Sequence, residues 1–290
     1  MSAEMTGHDL FAAIQQELGP EARRHRGVDA PTRRDLAPAG GSYRAIGALV
    51  DGIRAGDGDV SLTGVVVCAR ASTAVLEQAV RLGANLVISR SAFLGDSQDR
   101  PVGKPEPALA AKLAYIAANG LVVLRLQDVR VGSGGLAVAT ALADEIGLGR
   151  PQPADDPAAG LIWRAETASL GQWAGRCRKA LGGGPLRLVG DPGLAVTGIA
   201  MATETNRPNA LNPLIARPDV NLLVCGEVHE TETTAYVVDA IALGQPKALL
   251  IAGSVAMEDA AARRLARLLP AITRLPVHYV PVSEGIFAAR

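Results

Sequence analysis

Aromatic residues make up only 3% of this 290-residue chain. A surface that stacks bases on aromatic rings is therefore not expected. Net charge is also missing: 29 Lys and Arg balance 29 Asp and Glu. That argues against a protein held to nucleic acid or to an anionic membrane by long-range charge. No uncharged run reaches the roughly 18 residues that span a bilayer. The opening MSAEMTGHDLFAAIQQELG carries Glu4, His8 and Asp9 and lacks a basic start with an apolar core, so it does not read as a signal peptide. Cysteine is scarce too. Cys68, Cys177 and Cys225 cannot all pair, and their spacings fit no compact metal box. Cys68 and Cys225 end apolar runs and read as buried thiols. These absences together suggest a cytoplasmic protein with neither nucleic acid nor membrane as its partner.

What remains is an aliphatic chain, 48% hydrophobic and 20% charged, close to ordinary globular values. Its length suggests two domains, or one large one. Leu10, Phe11, Ile14 and Leu18 have helical spacing with Gly19 as a stop. Residues 21–41 hold six Arg or His positions and two prolines and read as an exposed loop.

A β/α rhythm follows. Val65–Cys68 is a short apolar strand, and Ser72 can cap a helix carrying Val75, Leu76, Ala79 and Val80. Leu86–Ile88 and Leu121–Leu126 are further strands. Helices are expected over 106–119 and 136–146. Residues 150–160 read as a linker and 170–181 as a helix. Strands are expected over 187–189, 195–201, 222–225, 248–251 and 277–280. Helices are expected over 233–243 and from Glu258 to Leu269, with ETNRPNALNP as a polar stretch between two of these strands. Strands alternating with helices of this length give an α/β class with mainly parallel or mixed sheets and helices on the faces. The expected division is 1–42 (helix and Arg-rich loop), 43–149 (first lobe), 150–184 (linker and helix) and 185–290 (second lobe), the tail packing back on the first lobe as an option.

In open α/β sheets ligands bind beyond the carboxyl ends of the strands. Five such ends carry conspicuous polar residues: Ser89-Arg90-Ser91, Arg125-Leu126-Gln127-Asp128, Glu204-Thr205-Asn206-Arg207, Gly226-Glu227-Val228-His229-Glu230, and Gly253-Ser254 with Glu258 beyond. The fourth is the densest, with three carboxylates and one His within residues 227–232. Such a group must be solvated, cation-paired or metal-bound. Its donors suit Mg, Mn or Zn; the alternative is an acidic helix-starting loop. Glu258, at a helix start, has the same alternative. Arg90 could fork onto a phosphate or carboxylate or neutralise the Glu227/Glu230 group. GDP at 190–192 and SGG at 133–135 read as turns. No GxGxxG follows a strand, and GxxxxGK[ST], HExxH and a GxSxG elbow are all missing, which sets aside the Rossmann, P-loop, zincin and α/β-hydrolase readings.

Two stretches carry a resemblance. VDGIRAGDGDVSLTGVVVCARASTAVLEQAVRLGANLVISRS, and CGEVHETETTAYVVDAIALGQPKALLIAGSVAMEDAAARRLARLL with PVHYVP, resemble the two lobes of the NGG-interacting-factor-three-like proteins, also known as GTP cyclohydrolase I type 2 homologues. The likeness covers about residues 43–290. It implies two interlinked α/β lobes, a toroidal hexamer and a dinuclear metal centre in the cleft. The family's ligands come from a His-His or His-Glu pair, a His/Asp segment and a late His-x3-Glu. Here the first pair reads Arg90-Ser91. The second segment reads Gln127-Asp128-Val129, keeping only Asp128. The late motif reads Ser254-x3-Glu258.

The resemblance, with these departures, implies a metal-depleted homo-oligomer. Its cleft takes a small polar or anionic molecule. Arg90, Ser91, Gln127, Ser254 and Glu258 hold it, and Asp128, Glu227, His229 and Glu230 are acid/base candidates. Arg90 would replace the metal, pairing with Glu258, Glu227 or Asp128. No cofactor is expected. Two alternatives stand beside this reading: a non-enzymatic scaffold or regulatory protein, and a hydrolase whose Zn, Mn or Mg ions are held by Asp128, Glu227, His229, Glu230 and Glu258. Whether the chain is an enzyme stays open at this point.

Overall fold

The computed structural model describes residues 4–18, 51–94, 99, 105–127, 137–152, 160–203 and 206–282. The Arg-rich loop 21–41, Asp128, the SGG turn at 133–135, most of the 150–160 linker, and Glu204 and Thr205 lie outside the described residues. The chain divides into two compact units, Met1–Ser133 with Leu265–Val280, and Gly134–Arg264 with Pro281–Arg290.

The first unit is built on a five-stranded sheet. Its elements are α1 (Gly7–Leu18), β1 (Gly52–Ala55), β2 (Val65–Cys68), α2 (Thr73–Arg81), β3 (Leu86–Ser89), α3 (Pro107–Ala118), β4 (Val122–Arg125) and, from the far end of the chain, β10 (Val277–Tyr279). The sheet order is β1-β4-β3-β2-β10, with β1 antiparallel and the rest parallel. Every residue of β2, β3 and β4 is buried. Strands covered on both faces must be apolar throughout, which is why these runs show no alternation. Ser72 caps α2 as expected, its hydroxyl accepting from Val75 N–H. Thr6 and Asp9 cap α1 reciprocally: Asp9 N–H donates to the Thr6 hydroxyl, and Asp9 Oδ2 accepts from Thr6 N–H and O–H. Those bonds, the side-chain one foremost, lower the Asp9 carboxyl below its ordinary value.

The second unit repeats the plan with different edges. It contains α4 (Ala137–Glu145), β5 (Leu161–Ser169), α5 (Leu170–Ala180), β6 (Arg187–Val189), β7 (Ala195–Ala202), α6 (Pro208–Ala216), β8 (Leu222–Cys225), a π-helical turn over Glu230–Thr234, α7 (Ala235–Ala242), β9 (Ala248–Ile251) and most of α8 (Ser254–Leu268). The sheet order is β5-β7-β8-β9-β6; the three central strands are parallel and both edges antiparallel. Alternate residues of β8 and β9 feed two cores. Leu222, Val224, Ala248 and Leu250 join Trp163, Trp173 and the inner faces of α4, α5 and α8. Leu223, Cys225, Leu249 and Ile251 join Leu211, Ile215 and Val237 from α6 and α7. Arg263 braces this unit: its fork meets both Glu145 oxygens at 3.0 and 2.5 Å and also donates to the Ala180 carbonyl.

Three sequence expectations change. The stretch ETNRPNALNP contains the start of α6, with Pro208 in its first turn and Pro213 inside it; buried Leu211, Leu214 and Ile215 hold the helix despite the proline. β1 and β5 were not expected: both pair at a sheet edge with a register irregularity, between Ile53 and Ala55 in β1 and between Arg164 and Ala168 in β5, which breaks their alternation. The last long helix starts at Ser254, not Glu258, so Glu258 sits one turn inside it, and stabilisation by the helix start is not its role.

Candidate functional site

The carboxyl ends of β2, β3 and β4 form one edge of the first unit. Each of the three strands runs out into an arginine: Arg70 two residues past β2, Arg90 next after β3, and Arg125 closing β4. Arg70 is exposed, whereas Arg90 and Arg125 are only 1% and 2% exposed. A buried guanidinium needs acceptors. Arg90 Nη1 donates to the Leu126 carbonyl at 2.8 Å. Its main-chain N–H donates to the Cys68 carbonyl at 3.1 Å, which carries the β2–β3 ladder one residue beyond the strands.

Arg125 finds a carboxylate. Its Nη1 lies 2.9 Å from Asp99 Oδ2, both side chains being almost wholly buried. Asp99 Oδ1 accepts from the N–H groups of Phe93 and Leu94 at 2.7 and 2.8 Å. Asp99 takes φ +53, a left-handed conformation that Asp tolerates better than most residues. One carboxylate thus fixes the turn after β3 to the end of β4. Arg125 Nη2 also donates to Gln127 Oε1, while Gln127 N–H donates to Asp51 Oδ1 at 2.6 Å. Ser91 is held through its main chain: its N–H donates to the Ala69 carbonyl, and its own carbonyl accepts from the Ser89 hydroxyl.

Lys112, from the middle of α3, reaches the same edge. Its Nζ donates to the Phe93 carbonyl at 3.3 Å and lies 4.9 Å from the centre of the Phe93 ring. Burial, followed by the charge of Arg70, pushes its ammonium down to about 8; Cys68 and Asp99 act in the opposite sense.

The corresponding edge of the second unit has the opposite character. Gly226 follows β8 and packs against the start of α8. A Cβ there would stand 2.5 Å from Ser254 Oγ and 2.8 Å from Ser254 Cα, so glycine is what lets the two strand ends close up. Gly253 N–H donates to the Gly226 carbonyl at 3.0 Å, and Ser254 opens α8 directly afterwards. Glu227, His229, Glu230 and Glu232 are all exposed. His229 begins the π-helical turn, its carbonyl accepting from Glu232 and Thr233 N–H. Glu230 pairs with Arg187 of β6, both well exposed. The acidic run therefore meets its mutual repulsion with water and one cation, as a helix-starting loop does. Behind it, Thr203 Oγ1, Asn212 Oδ1, Thr233 Oγ1 and Thr234 Oγ1 are buried without a hydrogen-bond partner.

A two-metal centre asks for three or more protein ligands, commonly His. Among the described residues no three His, Cys, Asp or Glu side chains stand where they could share an ion. At the positions that the resemblance matches to ligands stand a buried guanidinium, an amide whose oxygen already accepts from Arg125, and the hydroxyl of Ser254. A fixed cation where a dication would sit repels it by several kcal/mol at ~4 Å and intermediate dielectric. The described residues alone do not supply the donors of such a centre.

Arg70, Lys112 and Asp99 were not among the residues singled out from sequence, and Arg125 was named there only as part of a polar strand end. The signal was there in VVVCAR, NLVISR and VVLR, three buried strands each closed by an arginine, and in Lys112, the lone charge of ALAAKLAYIAA.

No family model and no curated protein sequence matches the chain. Solved structures do match it in shape. The Staphylococcus aureus protein SA1388 superposes with TM-score 0.72 at 15% identity, covering 99% of this chain and 100% of its own. A Bacillus cereus protein related to NIF3 gives TM-score 0.70 at 14% identity, with 100% of both chains covered. The protein ybgI, of unknown function, gives 0.69 at 21% identity, covering 96% of this chain and 98% of its own. At these identities the likeness establishes the fold. The chain has the NIF3-like α/β fold, in agreement with the resemblance read from its sequence.

Proposed function

We propose that this NIF3-like chain works without a transition-metal pair and binds a small anionic molecule at the carboxyl edge of the first unit. One observation carries the reading: Arg90, at a position where the resemblance expects a metal ligand, is a buried guanidinium held by the Leu126 carbonyl. It brings to that place the positive charge an ion would supply, and an anion is the partner that charge favours. Gln127 and Arg125, tied to each other, keep the neighbouring strand end rigid.

Elemental analysis of protein purified without chelators tests the metal half; well under one transition-metal ion per chain is expected. Thermal shift with millimolar sulfate, on protein stripped of metal and desalted, tests the other half. Stabilisation that survives stripping is expected. Two ions per chain, or a sulfate effect lost on stripping, would overturn the reading and favour a metal-dependent hydrolase.

A further inference from the structure

We infer that Arg70 and Lys112 form the seat of a doubly charged oxyanion, of the phosphoryl class, at the carboxyl end of β2. The inference rests on the reading just given and names the chemistry and the residues that hold the ligand.

The position comes from topology. From β2 the chain steps through β3 to β4 on one side, while β10 is added on the other. Parallel sheets bind ligands outside the strand ends where the direction of winding changes, and here that end is β2. Arg70 lies in the loop leaving it, three residues before α2 begins.

The charge balance points the same way. Four cations converge on this edge, Arg70, Arg90, Lys112 and Arg125. Asp51 and Asp99 are carboxylates at this edge, and Glu106 stands exposed at the start of α3. Asp99 is taken up by Arg125 and two main-chain amides, and Asp51 accepts from Gln127 N–H. Among the described residues, Lys112 Nζ has the Phe93 carbonyl and the Phe93 ring as its close partners. Arg70 leaves β2 and the Phe93 turn that holds Lys112 leaves the adjacent, parallel β3, so the two cations share one edge, and the charge of Arg70 opposes that of Lys112. Two neighbouring cations, one exposed and one half-buried, are costly until a dianion lies between them. An arginine fork with an ammonium suits a tetrahedral oxyanion, which offers several oxygens at once. A phosphate monoester carries about −1.5 to −2 charges near neutrality and matches the pair. The dipole of α2 adds positive potential at the same loop.

Titration calorimetry on the full chain tests this, with sulfate as the probe because its charge is constant from pH 6 to 9. Inorganic phosphate is the second probe and acetate the control. Arg70→Ala and Lys112→Met are each expected to weaken sulfate at least tenfold, and Arg187→Ala, at the other unit's edge, to leave it unchanged. Native affinity should fall as pH rises through about 8, where Lys112 loses its proton in the field of Arg70, Cys68 and Asp99. In Lys112→Arg that fall should vanish while binding persists, which a purely structural lysine would not produce. Sulfate bound equally by native protein, Arg70→Ala and Lys112→Met would overturn this inference and leave the proposed function standing. No binding of sulfate or phosphate by the stripped native protein would overturn both. Acetate bound as tightly as sulfate would overturn the dianion assignment.

Discussion

The two units share a plan, three parallel strands at the centre of a five-stranded sheet, yet their carboxyl edges are opposite in charge and in burial. The first ends in arginines, two of them almost fully buried and locked to fixed acceptors. The second ends in glutamates that lie in water, one of them beside an exposed arginine. The comparison separates two ways of placing charge at a strand end. Buried charge must be given a geometry, because an unsatisfied guanidinium in the interior is costly. Exposed charge needs none, because water solvates it at little cost. Geometry of the first kind is what a binding site requires, which is why the site is proposed at the first edge although the second is richer in titratable groups.

The largest effect that would sharpen this contrast is expected from Asp99→Ala. It takes the carboxylate away from the buried Arg125 guanidinium and leaves the Phe93 and Leu94 amides without that acceptor. A loss of about 3–5 kcal/mol is expected, read as faster amide exchange in peptides covering 86–94 and 122–127. Arg90→Met follows, at about 1.5–3 kcal/mol for the lost charged hydrogen bond to Leu126, by the same readout. A value under ~1 kcal/mol would mean that Arg90 is not held as a buried charge is.

Gly226→Ala addresses the second edge, where the new Cβ meets the backbone of Ser254. About 1–3 kcal/mol is expected for that overlap. Both tryptophans lie in the second unit's core, so fluorescence-monitored denaturation reports on it.

Lys112→Met gives a pH-dependent difference. The folded state lowers the Lys112 ammonium to about 8 from 10.5, so between those values the unfolded chain binds more protons, and native stability rises with pH across that window. The cost of holding the charge is felt in full below about pH 8. Native protein should therefore gain on Lys112→Met as pH is raised from 8 to 10; a constant gap would show that the ammonium is not disfavoured by folding. The smallest effect belongs to Glu230→Ala. Its pair with Arg187 is 58% and 66% exposed, and under ~1 kcal/mol is expected, vanishing in high salt. If Glu230→Ala cost as much as Asp99→Ala, the division between the two edges would fail.

Much of this was legible beforehand, and the residues show why. Val65–Cys68, Leu222–Cys225 and Ala248–Ile251 are strands with the very limits that their apolar runs suggest, because strands covered on both faces have no polar position to blur the signal. Ser72 was legible as a cap because capping is local. β1 and β5 were not: both pair at sheet edges with register irregularities, and α6 hides behind Pro213. The site divided in the same way. Arg90 stood out as a charge ending a buried strand. The dense acidic run drew equal attention, since sequence spacing counts charges without saying which are in water.

The amino-acid sequence by itself determined the α/β rhythm, the buried strands and the Ser72 cap, all of which follow from local pattern and residue chemistry. Tertiary structure decided which charges matter. Asp99 meets Arg125 across 26 positions of chain, and Lys112 reaches the turn at Phe93 from the middle of another helix. Such contacts are set by how helices lie on a sheet. Burial, which turns an arginine from a solvated ornament into a fixed positive charge, belongs to the packed molecule and to no segment of it.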